Sequence, residues 1–242
     1  MTKKQKKEVL LKIACVVFLL AATFIVLIGV QFLLGLLMGL ILPPDAFDST
    51  ITSAVFELLA YLITGGILIF LPPKIFKKIP KPTREKLGLG GLPTWTDLGL
   101  GPAGYAASII LAAGLTAVFN LMPWFNTGEA QELGYSIYMQ GFERGLAFIM
   151  LAVVAPVMEE IIFRGWLYGK LRTKTPKAVA IILTSLLFGA VHLQWNVGIT
   201  VFSMSVVTCL LREVTGTIYA GTLVHIINNT VAFCLVFVVN MV

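Results

Sequence analysis

Charge is scarce in this 242-residue chain. Asp, Glu, Lys and Arg make up 12% of it, while hydrophobic residues reach 58% and the mean hydropathy is +0.93. A soluble domain carries roughly twice that charged share, so a water-soluble fold is excluded. What remains is an all-α polytopic transmembrane helical bundle, read as a single domain over residues 1–242. Cysteine is nearly absent: Cys15, Cys209 and Cys234 lie in apolar runs without paired ligand spacing, which argues against disulfides and thiolate metal sites. The chain holds only two histidines, His192 and His225, and the HExxH spacing of ordinary zinc proteases is missing. The net charge of +6 does not indicate a nucleic-acid partner, because the lysines sit in short clusters between apolar runs, as membrane topology requires.

Long apolar stretches are what the chain has in abundance. The basic segment MTKKQKKEVLLK precedes an uncharged run from Ile13 to Leu42. That run is about twice the apolar length of a secretory signal and has no convincing small-residue cleavage site, so it reads as an uncleaved first helix. Further spans are predicted over Ile51–Leu71, Leu98–Met122, Gly145–Tyr168, Ala178–Leu193, Gly198–Leu211 and Thr217–Val239. This makes about seven, the fifth and sixth shorter than a full crossing. Lys3, Lys4, Lys6, Lys7 and Lys12 put the N-terminus in the cytoplasm. Lys74, Lys77, Lys78, Lys81, Arg84 and Lys86 do the same for the second connection, and Lys170, Arg172, Lys174 and Lys177 for the fourth. Asp45 and Asp48 mark the first connection as external, and Glu129 and Glu132 the third. Trp95, Trp124, Trp166 and Trp195 fall at predicted span ends, as an aromatic belt does. Gly35 and Gly39 form a GxxxG, a weak sign of helix pairing. The second connection, rich in Pro, Gly and Lys, reads equally as a flexible linker or as an interfacial segment drawn to anionic membrane lipid.

Against this background a few polar residues stand out. An acid deep in a span is costly and is a functional candidate by default, and Glu159 and Glu160 are adjacent in the middle of the fourth. At about 1.5 Å per residue, Glu159, His225, Asn229 and His192 lie roughly 12 to 21 Å from the cytoplasmic ends of three different helices, near one level. Glu160 and Arg164 are one turn apart, acid first, the favoured order for a helical ion pair. Glu159 points about 100° away and reads as the unpaired carboxylate. His225 with Asn229, and Phe188 with His192, share the same i, i+4 spacing. Each group alone has a plain structural role available: an ion pair that fixes a helix, an interhelical hydrogen bond, or core packing for Phe188. Together they would be several costly groups at one depth serving no purpose. Glu57, in the second span, shows no partner.

The blocks EEIIFR (Glu159–Arg164), FGAVH (Phe188–His192) and HIINN (His225–Asn229) match EExxxR, FxxxH and HxxxN motifs in order. In this the chain resembles the CPBP family (CAAX protease and bacteriocin-processing, or Abi), intramembrane proteases that include the type II CAAX prenyl endopeptidases. The likeness covers Ala155 to Val231, within catalytic core helices at 145–239. It implies that Glu159 and His192 activate a water, that His225 and Asn229 stabilise the oxyanion, and that Glu160, Arg164 and Phe188 support them. No cofactor is favoured. Zinc is the competing reading, with Glu159, Glu160, His192 and His225 as the available donors. The implied partner is a peptide or membrane-protein substrate, with or without a prenyl group. Two other classes stay open: a proton-coupled transporter using the carboxylates and histidines as a relay, and a non-cleaving immunity or scaffold protein that binds a peptide in the same place. The short basic N-terminus, without a targeting peptide, points to a prokaryotic plasma membrane.

Overall fold

The structure, a computed structural model, describes residues 2–77, 79–126 and 135–239. Of the topology markers, Lys78, Glu129 and Glu132 lie outside the described residues. Among the described residues seven principal helices follow in order: α1 Lys3–Ile41, α2 Thr50–Ile75, α3 Trp95–Phe119, α4 Phe142–Arg172, α5 Lys177–Ala190, α6 Trp195–Thr215 and α7 Tyr219–Phe237. A short 3₁₀ turn, Pro44–Asp48, joins α1 to α2, and the described residues contain no strand. The chain is an integral membrane protein: six of these helices are long and apolar enough to cross a bilayer. The seventh, α5, has 14 residues and so spans about 21 Å, less than the hydrocarbon layer. Unlike the expectation from hydropathy, α6 is a full crossing. Its ends carry Asn196, Arg212 and Glu213, which shorten the apolar run without breaking the helix, and it stops at Gly216, whose φ of 72° suits the left-handed cap.

Two helices widen into π geometry just before a proline. In α2 the stretch Gly66–Phe70 precedes Pro72, and in α4 the stretch Ile149–Val154 precedes Pro156. A proline ring clashes with the carbonyl four residues back and supplies no N–H, and a locally wider turn relieves both. A third π stretch in α4, Ile161–Tyr168, begins directly after Glu160.

Small residues set the helix spacing, as is usual where lipid supplies no hydrophobic drive to association. A Cβ on Gly101 or Gly104 of α3 would fall within 2.8 Å of Leu223 or Val224 of α7, and one on Gly189 of α5 would meet the Gly198 carbonyl of α6 at 2.8 Å. The connection before α3 is pinned to the same end of the bundle as the α6–α7 turn. There the Leu87 carbonyl lies against Gly165 of α4, Ile218 N–H donates to Gly88 O at 3.0 Å, and the Tyr219 hydroxyl donates to Gly91 O at 3.1 Å. Trp124 and Trp195 stack edge to face at 5.3 Å and bring the connections after α3 and α5 together. Trp166 departs from the belt expectation: only 8% exposed, it packs in the main core.

Candidate active site

The two adjacent glutamates of α4 take different surroundings. Glu160 is fully buried; its Oε1 lies 2.8 Å from Arg164 Nη1 and 3.3 Å from His225 Nδ1. Gly221 makes room for it, since a Cβ there would stand 3.2 Å from Glu160 Oε2. Arg164 is equally buried and lays its guanidinium 4.3 Å above the Phe188 ring, a favourable cation–π geometry. Phe188 in turn meets Phe163, His192 and His225 edge to face, at 4.8, 5.2 and 5.7 Å. The ring that could pass for simple core packing therefore touches both histidines, and the pair behind it fixes His225 as well as the helix.

Glu159 turns the other way, into a cavity of about 730 Å³ that His192, His225 and Asn229 also line. Its Oε2 lies 3.6 Å from His225 Nε2. His225 is thus held between the two acids, with Nδ1 toward Glu160 and Nε2 toward Glu159. His192 reaches the cavity from the end of α5. Its Nδ1–H donates to Phe188 O at 2.8 Å, which leaves Nε2 as the open ring nitrogen. The next residue, Leu193, turns the chain with a left-handed φ of 58°, an uncommon conformation for a branched side chain that is tolerated where the surroundings impose it. Asn229 Nδ2 donates to Leu151 O at 2.9 Å, a carbonyl inside the first π stretch of α4, and its Oδ1 accepts from Asn228 at 3.2 Å. One amide N–H of Asn229 remains for another acceptor.

Helix α2 completes the wall. The Tyr61 hydroxyl donates to Glu159 Oε1 at 2.5 Å, so the partner that α4 lacks comes from another helix. Glu57 is not solitary either: Tyr135, in the connection before α4, donates to its Oε2 at 2.9 Å. Burial, and then the Glu57 charge, push the Tyr135 hydroxyl well above the usual phenol range, which keeps it a donor. A sign of this was present in the sequence. Ser53, Glu57, Tyr61 and Thr64 recur at helical spacing along one face of an otherwise apolar span, and all four line the cavity.

Glu159, Glu160, His192 and His225 are neighbours, yet no three His, Cys, Asp or Glu side chains among the described residues are grouped as a metal would require. Glu160 is turned toward Arg164 and away from the cavity, and one oxygen of Glu159 is taken by Tyr61.

Comparison with known proteins bears on this region. Residues 142–231 match the family described as "Type II CAAX prenyl endopeptidase Rce1-like", a stretch that opens with α4 and ends within α7, enclosing all three motifs. The Bacillus subtilis (strain 168) protein named "Putative membrane peptidase YdiL" is 32% identical over 85 residues. The match spans 35% of this chain and 35% of that relative, about a third of its length. No solved structure matches. Over the segment that carries its polar site, this chain is similar to the Rce1-like family of type II CAAX prenyl endopeptidases.

Proposed function

We propose that the protein is an intramembrane endopeptidase that hydrolyses a peptide bond of a membrane-associated peptide or protein. The observation that carries this reading is the convergence of Glu159, His192, His225 and Asn229, from α4, α5 and α7, on one cavity inside the bundle. In this reading Glu159 removes a proton from a water oriented by His192 Nε2, and the water oxygen bonds to the peptide carbonyl carbon. The charge that develops on the carbonyl oxygen is met by His225, through Nε2, and by the open amide N–H of Asn229. Donors already in place at such a position supply several kcal/mol in a site shielded from water. The proton held on Glu159 then passes to the leaving nitrogen, the C–N bond breaks, and a carboxylate and an amine leave. Glu160, Arg164 and Phe188 hold the framework and touch no reacting atom.

The cavity is of a size that accepts several residues of an extended peptide. Its α1 side presents Leu27, Ile28 and Met38 beside the polar Gln31, and the three apolar side chains suit a substrate with a hydrophobic chain or a prenyl group. The lysine-rich segments support a cytoplasmic N-terminus, and the Bacillus relative supports a prokaryotic plasma membrane.

The reading is tested by comparing the membrane peptides of cells that express the wild type with those of cells that express Glu159→Gln. At least one peptide is expected to go untrimmed in the variant. A transporter or a non-cleaving binding protein would leave the two inventories alike. Chelator treatment of the purified protein, with metal analysis, addresses the chemistry. Cleavage is expected to persist, whereas stoichiometric zinc whose removal abolishes activity would overturn the glutamate-driven mechanism.

A further inference from the structure

We infer that Tyr61 is a positioning residue for Glu159, so that the reactive carboxylate is held by a helix outside the family-matched segment; the inference rests on the peptidase reading. The two oxygens of the Glu159 carboxylate have different partners. Oε1 accepts the Tyr61 hydroxyl at 2.5 Å, while Oε2 faces His225 and the cavity. A glutamate side chain has three rotatable torsions, and one anchored oxygen fixes which of the two is presented to a water. Helix α2 is itself well placed to hold that anchor. Ala60 and Thr64, flanking Tyr61 on its face, are buried. One turn earlier, Glu57 is tied to Tyr135, so the same face is attached at two heights.

A base must be held within about 0.5 Å of its productive position, and a misplacement of about 1 Å costs on the order of 10²-fold in rate. Tyr61→Phe removes the hydroxyl and keeps the ring, so it loosens Glu159 without opening a cavity. The variant is expected to lower kcat about 10- to 100-fold while KM stays within about twofold. A residue that merely packs would change neither, and one that binds substrate would raise KM. A melting cycle in detergent reads the contact without reference to activity. Tyr61→Phe, Glu159→Ala and the double variant are compared, and the double variant is expected to melt where Glu159→Ala does, because the second change removes a bond already broken. Additive losses, or an unchanged kcat in Tyr61→Phe, would overturn the inference. Normal cleavage by Glu159→Gln would instead remove the peptidase reading and the kinetic role of Tyr61 with it, and the melting cycle would then show separately whether the tyrosine holds the acid.

Discussion

Glu159→Gln is expected to lower kcat by about 10³-fold, with KM close to that of the wild type. The amide keeps the volume of the acid and can still accept the Tyr61 hydroxyl, so the cavity and its neighbours stay in place. What it loses is the ability to take a proton from water and pass it to the leaving nitrogen, and both halves of the proposed reaction use that ability. Of the adjacent pair, Glu159 is also the acid with the lighter structural duty. It faces the cavity, while Glu160 carries the ion pair, so unfolding does not confound the result. The measurement is single-turnover cleavage, in lipid vesicles, of whichever peptide accumulates in cells carrying the variant. Retention of more than about a tenth of the wild-type rate would remove Glu159 from the role of base.

The second large effect concerns stability. Glu160 and Arg164 are both fully buried, and removing one partner of a buried pair leaves a charge with neither water nor counterion. Arg164→Met or Glu160→Gln alone is expected to destabilise the bundle by about 3–5 kcal/mol. The double variant, which removes both charges and keeps similar volumes, is expected to recover much of that loss. Its activity should remain impaired, since His225 loses the acceptor for Nδ1 and Phe188 loses the guanidinium above it. Unfolding in mixed micelles gives the energies and a cleavage assay gives the activities. Equal stability of the single variants and the wild type would show that the pair does not hold this helix.

The residues that hydropathy and helical spacing could find are those whose partners lie on one helix or whose cost is visible alone. The apolar runs locate every principal helix, six of them because crossing lipid demands about 20 apolar residues whatever the tertiary contacts, and the shorter α5 by its apolar run alone. The ends are less legible. α6 extends through Arg212 and Glu213, since charges at a helix terminus reach the interface at little cost. Glu160 with Arg164 is visible as a one-turn pair, and the structure adds that His225 shares the acid. The contacts of α2 were hidden for a different reason. Tyr61 and Glu159 are separated by 98 positions, and a tyrosine in a span reads as packing until its partner is seen. Glu57 looked solitary because Tyr135 is 78 positions away, in a connection with no apolar period of its own. Trp166 was misplaced for the converse reason: an indole near the end of an apolar run fits the belt or the core equally well, and only packing decides.

The π stretch that follows Glu160 stores chain length. A π turn holds more residues than an α turn, so the helix could lose a residue near Trp166 or Leu167 and tighten, leaving Glu159 before the stretch and Arg172 after it on their present bearings. The same loss within Ala155–Glu160, which is α-helical, would swing everything beyond it by about 100° and separate Arg172 from Glu213, its partner at 2.8 Å. Deletions in this helix are therefore best absorbed in its two π stretches, Ile149–Val154 before the glutamates and Ile161–Tyr168 after them, and the α-helical segment between is fixed by what the glutamates must face.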